Sequence, residues 1–274
     1  VINFGQMSEE EARQWPALMA IADARVRDTR ANHSTAAWFH FERLRPELYA
    51  SIAGLNRVLV IPRVSQHHAA VFLRSGYVFS DQLVVIANES DAMFAVLQSR
   101  IHETWSRQLG SSLEDRFRYT PSDCLETFPF PLAWLESAGL ERVGRDYYED
   151  RATLMLELNE GLTRVYNRFH DPNETDPRIV RLRVLHDAMD RAVLDAYGWT
   201  DIRPTCEFVP EDDGGDDEPA AKRAKFRYRW PDDVRDEVLG RLLDQNAQEA
   251  SDANSTHPLA APTRRRQPQT IGPH

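Results

Sequence analysis

The sequence predicts an α+β fold, in which a small mixed α/β part is followed by a mostly helical region with a long antiparallel helix pair. Three β-rich runs lie close together at residues 57–64, 69–74 and 82–87, whereas residues 132–200 show helical periodicity almost throughout. The length of 274 residues, with 42% hydrophobic and 28% charged residues, fits one or two soluble globular domains.

The amino-terminal segment, residues 1–35, is predicted to be a helical connector. Ser8 and Glu11 form a capping-box pattern, and apolar residues at helical spacing then predict a helix from about residue 9 to about residue 28. The chain begins at Val1 inside an apolar piece, without an initiating Met or a signal-peptide pattern. We therefore expect the chain to be the carboxyl-terminal part of a longer protein.

The mixed part is predicted to span residues 36–131. It opens with a strand-like aromatic run at residues 38–41 and a short helix that begins near Pro46. The three β-rich runs follow as a small meander, with a turn at Ser75–Gly76.

The end of the mixed part is predicted to be a helix followed by an extended segment. Helical periodicity runs over residues 90–109 and stops at Gly110. Prolines at 121, 129 and 131 then exclude a helix interior over residues 118–131.

Residues 132–200 predict a helical hairpin. One helix is expected over about residues 140–169 and another over 179–197, joined by the turn-rich loop 170–177. Two long helices joined by a short loop pack antiparallel.

The carboxyl-terminal part is predicted to contain an acidic then basic linker (201–230), a helix (231–248) and a disordered tail (249–274). Residues 207–218 carry seven acids and no base, so this run accounts for most of the formal net charge of −10. In contrast, residues 37–130 hold nine arginines against ten acids. The acidic balance therefore does not exclude a nucleic-acid partner for the mixed part.

No catalytic constellation can be read from the sequence. It contains no GxGxxG, GxxxxGK[ST], HExxH or GxSxG pattern, and its two cysteines form neither a disulfide framework nor a zinc motif. The scarcity of cysteine favours a reducing compartment, the cytoplasm, and no apolar run is long enough to cross a membrane. Arginine makes up 31 of the 33 basic residues, which fits either codon bias or contacts to phosphate and guanine.

Two polar clusters are candidate DNA contacts, one between two predicted strands and one after the helix stop at Gly110. Arg63, Ser65, Gln66 and His67 offer hydrogen-bond donors and acceptors suited to base edges. The candidates for phosphate contacts are Arg74, Arg116, Arg118 and Tyr119, whose alternative role is packing on the surface. The patch at residues 222–230 also resembles a nucleic-acid surface, although the acidic run beside it can neutralise it.

The adjacent His67 and His68 raise the alternative of a metal site. Neighbouring residues in a strand point to opposite faces, so the pair cannot easily share one ion. We expect one of these histidines to be packed and the other exposed.

Longer motifs resemble a known family. The segments RYTPSDCLETFPFP (residues 118–131) and YNRFHDP through AYGW (residues 166–199) resemble the region after the catalytic domain in large DNA methyltransferases. These are type IIG-like enzymes of restriction–modification and phage-defence systems, with a class I fold that binds S-adenosylmethionine. The resemblance covers about residues 1–248.

The resemblance implies that residues 36–131 are a target-recognition domain that reads double-stranded DNA, with the helices packed behind it. It also implies a parent enzyme that transfers a methyl group from S-adenosylmethionine to adenine N6, and a catalytic domain in the same or a separate chain. This chain lacks the NPPY or DPPY motif and the glycine-rich cofactor loop. We therefore expect no bound cofactor and no activity in the chain alone.

Two other interpretations stay open at this stage. The long helices and the acidic run can belong to a protein-interaction or specificity subunit that docks a separate methyltransferase or nuclease. The chain can also be an unrecognised enzyme, which methyl transfer or DNA cleavage by the purified chain would reveal.

Overall fold

The computed structural model describes residues 1–30, 37–41, 43–113, 116–132, 134–210 and 225–256. Its helices are α1 (Glu9–Ala12), α2 (Pro16–Arg30), α3 (Pro46–Ile52), α4 (Asp91–Gln98), α5 (Arg100–Leu109), α6 (Pro121–Cys124), α7 (Ala138–Leu158), α8 (Leu162–Phe169), α9 (Pro177–Ala196) and α10 (Asp232–Thr256). Its strands are β1 (Arg57–Pro62), β2 (Val64–Ser65), β3 (Val71–Arg74), β4 (Leu83–Ile86), β5 (Ser111–Leu113), β6 (Arg116–Arg118), β7 (Glu207–Pro210) and β8 (Phe226–Arg229). This combination confirms the predicted α+β class. None of the helices in these ranges has the length and apolar character needed to cross a membrane.

The first sheet is built around β1, with β3 on one side and β4 on the other, both antiparallel to it. The prediction of a meander is wrong, because a meander would place the strands in chain order. β1 occupies the centre since its inner residues, Val58 to Ile61, are apolar and buried on both faces. α3 covers the face of Val58 and Val60, and α4 covers the face of Leu59 and Ile61.

A second small sheet, in the order β2-β6-β5, continues from the first. Arg63 joins the two sheets: its backbone N–H donates to the carbonyl of Gln82 at 2.8 Å, and its carbonyl accepts from the N–H of Tyr119 at 2.8 Å. The end of β1 and the end of β6 are therefore held together by the backbone alone.

α4 connects the sheets to the helical region. It is buried along its whole length and packs against α7, which packs in turn against α9. Gly144 of α7 allows this close approach, because a Cβ there would lie 2.0 Å from the carbonyl oxygen of Asp91. Ion pairs between Asp150 and Arg181 and between Glu157 and Arg178 place α7 and α9 antiparallel, as the sequence predicts.

Each of the three longest predicted helices is interrupted at a local signal. The capping box at Ser8 forms, but α1 ends at Ala12 and a new helix begins with Pro16, which lacks the N–H that a continuous helix requires. Ser99 separates α4 from α5, where its hydroxyl caps the N–H of His102. Asn159 ends α7 in the left-handed conformation, with φ of 51°.

Two shorter predictions are also corrected. Residues 38–41 form a turn instead of a strand, because Phe39 packs edge-on against Phe4 in a small amino-terminal core. The segment predicted to be extended contains α6, in which Pro121 takes the first-turn position that proline tolerates.

The predicted linker at 201–230 contains an antiparallel strand pair. β7 pairs with β8 so that Glu207 lies opposite Arg229, and most of the acidic run, residues 211–218, lies outside the described residues. α10 extends to Thr256, past the predicted end at 248, with Val238 and Leu242 buried in the main core. The predicted tail beyond 256 lies outside the described residues, and the domain boundaries stay predictions.

Candidate nucleic-acid interface

The structure brings the two predicted polar clusters into one sheet. β2 and β6 pair antiparallel, with Val64 opposite Arg118 and Ser65 opposite Phe117. The loop after β2 thus lies beside the strand that carries Arg116 and Arg118. Strand pairing thus places residues that are about 50 positions apart in the sequence side by side in one sheet.

We call the polar residues around this strand pair, Arg63, Ser65, Gln66 and Arg118, the β2–β6 surface. The register places the side chain of Arg118 on the face of Val64, and that of Ser65 on the opposite face with Phe117. Gln66 and Arg118 are exposed, and Arg63 and Ser65 are half-buried. Within the described residues, no ion pair or hydrogen bond engages the guanidinium group of Arg63 or Arg118. Both groups are therefore available to an anion or to a base edge.

β8 and α8 contact the loop at Gln66 and His67 and hold it in place. Arg227 donates to the carbonyl of Gln66 at 2.7 Å and to Nδ1 of His67 at 3.2 Å. Nε2 of His67 lies 2.8 Å from Oδ1 of Asn167. The His67 ring also stacks on Tyr166, with ring centroids 5.7 Å apart.

These contacts fix the protonation of His67. Burial lowers its pKa to about 4, and Arg227 acts in the same direction, so the ring is neutral at pH 7. Because Arg227 can only donate, Nδ1 of His67 must accept, and the ring proton therefore sits on Nε2 and is donated to Asn167. His67 is 6% exposed, so its part in the interface is to support the loop.

His68 points the other way, into the core. Its Nε2 donates to the carbonyl of Leu97 at 2.6 Å, and it is also 6% exposed. The expectation of one packed and one exposed histidine is therefore wrong, because both faces of this segment are covered by helices. No group of His, Cys, Asp or Glu in the described ranges is arranged to hold a metal ion.

Tyr119, predicted to contact phosphate, lies in the core instead. Its hydroxyl is 2.9 Å from Nε2 of His102, the residue is 1% exposed, and burial raises the pKa of its hydroxyl. It follows Arg118 directly, and the alternation of side chains along a strand turns one outward and the other inward. Tyr119 thus anchors the end of β6.

The structure separates Arg74 from the other candidates. Arg74 ends β3 opposite Arg57, whereas the β2–β6 surface continues from the other end of β1, beside Pro62 and Leu83. Five residues of strand, at about 3.3 Å each, separate the two ends. Arg116 begins β6 opposite Leu113, close in sequence to the β2–β6 surface.

The sequence does not identify two residues that support the interface. Asn167 lies in a helix whose pattern gives no hint of a contact with residues a hundred positions earlier. Arg227 belongs to the basic patch that resembles a nucleic-acid surface, yet it is 9% exposed and supports the Gln66 loop. No local signal distinguishes this buried arginine from its exposed neighbours.

The described residues of the site offer hydrogen-bond donors and acceptors. Burial raises the pKa of both thiols, Cys124 and Cys206, so neither is a thiolate at pH 7. The connections from β4 to α4 and from β8 to α10 contain no glycine that would let a backbone cradle a nucleotide cofactor. The arrangement fits recognition of a ligand.

Comparison with known proteins agrees with this geometry. Residues 2–132 match the family described as "MmeI, target recognition domain". The chain is 26% identical over 147 residues to "DNA methyltransferase A" of Bacillus subtilis (strain 168), covering 52% of this chain and 16% of that protein.

A solved structure shares the fold. The structure titled "Structure of Type IIL restriction-modification enzyme MmeI in complex with DNA has implications for engineering of new specificities" matches with a TM-score of 0.59 at 19% identity. The match covers 91% of this chain and 28% of that one. The chain thus spans less than a third of the length of either of these relatives.

Proposed function

We propose, from the match of residues 2–132 to the MmeI target recognition domain family, that the chain reads DNA sequence for an adenine-N6 DNA methyltransferase of a restriction–modification system. Its partners in this proposal are double-stranded DNA and the catalytic methyltransferase domain. The chain is the specificity region of that enzyme and transfers no methyl group alone.

One observation carries the proposal: the pairing of β2 with β6 brings Arg63, Ser65 and Gln66 next to Arg118, although these residues are about 50 positions apart in the sequence. Gln66 can donate to and accept from a base edge, and Arg118 and Arg63 supply planar cationic donors suited to guanine or phosphate. Arg227 and His67 hold the loop beneath, so that the contact residues stand on a rigid support.

The cofactor belongs to the catalytic domain in this proposal. S-adenosylmethionine supplies the methyl group there, and adenine is flipped out of the duplex to reach it. The residues of this chain do not fit that group, because the sequence has no NPPY-type motif and no glycine-rich turn after a strand. The contribution of this chain is to position the DNA.

Binding of fluorescently labelled duplexes to the full chain, followed by anisotropy over a range of salt concentrations, tests the proposal. We expect salt-dependent binding, which the double substitution Arg63→Gln and Arg118→Gln weakens at least tenfold at low salt because it removes two cationic contacts. Each lost phosphate contact lowers the salt slope by about 0.9.

A matched control removes an arginine elsewhere. Arg142→Gln changes an exposed residue of α7 near the start of α4. His68 contacts the opposite end of α4, and the two ends of this helix are about 12 Å apart at a rise of about 1.5 Å per residue. It should leave affinity within about twofold of wild type. The same assay on Arg74→Gln tests whether the interface extends to the other end of the first sheet. Equal binding by wild type and the double variant would refute the β2–β6 surface.

A further inference from the structure

α8 presents two polar residues beside the β2–β6 surface, although it lies outside the residues that match the recognition domain family. Asn167 and Arg164 are exposed and lie one turn apart, so they are neighbours on the helix surface. The other side of α8, with Val165, Tyr166 and Phe169, is buried in the core. The helix is thus fixed in place while this polar pair faces outward.

The carboxamide of Asn167 has a defined orientation. His67 donates its Nε2 proton to Oδ1 of Asn167, for the reason given above, and the ring cannot turn because Arg227 holds its Nδ1. Oδ1 is thus engaged by His67, and the exposed side chain of Asn167 leaves its NH₂ group accessible to a ligand. Within the described part of the chain, this NH₂ group and the guanidinium of Arg164 donate to no protein acceptor.

The chemistry of this pair selects its ligand. Reading adenine requires an asparagine to present its oxygen and its nitrogen together to one base. The oxygen of Asn167 is already engaged, so only donors remain, and Arg164 adds a positive charge. A set of donors without acceptors excludes adenine and suits the oxygens of a phosphodiester or the O6 and N7 atoms of guanine. We take the phosphodiester as the ligand because duplex DNA presents its oxygens at every position.

We propose that Asn167 and Arg164 form a phosphodiester contact for duplex DNA on α8, preoriented by the hydrogen bond from His67 to Asn167. This inference rests on the proposed DNA-reading function and extends the interface from the recognition domain onto the helical region. Because Gln66 and Asn167 flank the same buried histidine, the contact sets the position of the backbone beside the bases that the loop reads. It contributes affinity without sequence preference.

Three variants of the full chain test the contact by anisotropy on a preferred duplex and a scrambled duplex. Asn167→Ala is expected to weaken binding to both duplexes by the same factor, about threefold to tenfold, which is the usual worth of one hydrogen bond. Arg164→Gln is expected to lower the salt slope by about 0.9. Asn167→Asp keeps an acceptor for His67 but places a negative charge against the phosphate, so it should bind more weakly than Asn167→Ala.

The outcomes separate this inference from the function on which it rests. Arg142→Gln serves as the matched control for Arg164→Gln, and circular dichroism confirms that each exposed-site variant is folded. Wild-type binding by Asn167→Asp, or a salt slope of Arg164→Gln equal to that of wild type, overturns the phosphodiester contact while leaving DNA recognition in place. A wild-type chain that binds neither duplex overturns the proposed function itself.

Discussion

Burial decides what each arginine of this chain does. Arg63 and Arg118 lie at the surface without a partner among the described residues, whereas Arg100 is buried and bound to two aspartates, at 2.8 Å from Asp187 and 2.6 Å from Asp190. The sequence shows an excess of arginine but gives no sign of which ones support the core. The sequence predicts the contacts at Arg63 and Gln66 because they follow a strand end, and that at Arg118 because it lies in a polar cluster after a helix stop. It does not predict the burial of Tyr119, which depends on the neighbouring helix.

The buried pair of Arg100 and Asp190 is predicted to matter far more than an exposed one. Asp190→Asn removes the buried one of the two carboxylates that balance the Arg100 guanidinium and should lower the free energy of unfolding by about 3 kcal/mol. Asp195→Asn, on the same helix, breaks an exposed i,i+4 pair with Arg191 and should cost less than about 0.5 kcal/mol. Urea unfolding of both variants measures the difference, and similar values for the two would contradict this account of burial.

At the scale of elements, the sequence predicts where helices and strands lie but not where they break. Helical periodicity continues across Pro16, Ser99 and Asn159, yet the helix is interrupted at or just before each of them. Local signals compete there with continuation of the helix, and tertiary packing determines which conformation is more stable. Likewise β1, whose four inner residues are all buried, takes the centre of the sheet, which chain order alone does not reveal.

The packing of α4 on α7 is predicted to tolerate no side chain at Gly144. Gly144→Ala would place a Cβ 2.0 Å from the backbone oxygen of Asp91, so the helices must separate, and we expect a loss of about 3 kcal/mol or more. Gly240→Ala is the control, since it lies inside α10 with nothing within 4 Å, and should stabilise by about 1 kcal/mol. Thermal unfolding distinguishes the two; a Gly144→Ala protein as stable as wild type would rule out the close approach.

At the scale of the whole molecule, long-range contacts assemble the interface. The Gln66 loop depends on α8 and β8, which are about 100 and 160 residues away along the chain. Periodicity and motif can place polar clusters at strand ends, but they carry no information on such distant supports. The net charge of −10 is similarly uninformative about the interface, because residues 37–130 hold nine arginines against ten acids and the acidic run at residues 207–218 carries most of the excess.

Burial of five histidines predicts that the fold is sensitive to acid. The pKa is lowered from 6.5, with burial as the main cause, for His67, His68, His102, His170 and His186. Below pH 6.5 the unfolded chain therefore binds protons that the folded chain does not. The neutral histidines therefore contribute fully to stability above pH 6.5. This contribution is lost as the pH falls toward the pKa of each histidine in the folded state, which is about 4 for His67.

Urea midpoints between pH 7.5 and pH 5 measure this effect. Each such histidine removes up to about 1.4 kcal/mol per pH unit once the pH is below 6.5. We expect the urea midpoint to fall with decreasing pH more steeply than the uptake of one proton explains. His67→Gln lacks one titrating ring, so its midpoint should depend less steeply on pH. A midpoint that stays constant from pH 7.5 to pH 5 would contradict the neutral state of the histidines.

The central claim, that this chain reads DNA sequence through the β2–β6 surface, is tested most directly by selection from a pool of randomised duplexes. The full chain is predicted to enrich one short sequence, and Gln66→Ala is predicted to relax the preference at a defined position within it, with a loss of about 1–3 kcal/mol of discrimination. A folded chain that enriches no sequence, or a Gln66→Ala, Arg118→Gln variant with an unchanged preference, would contradict the claim.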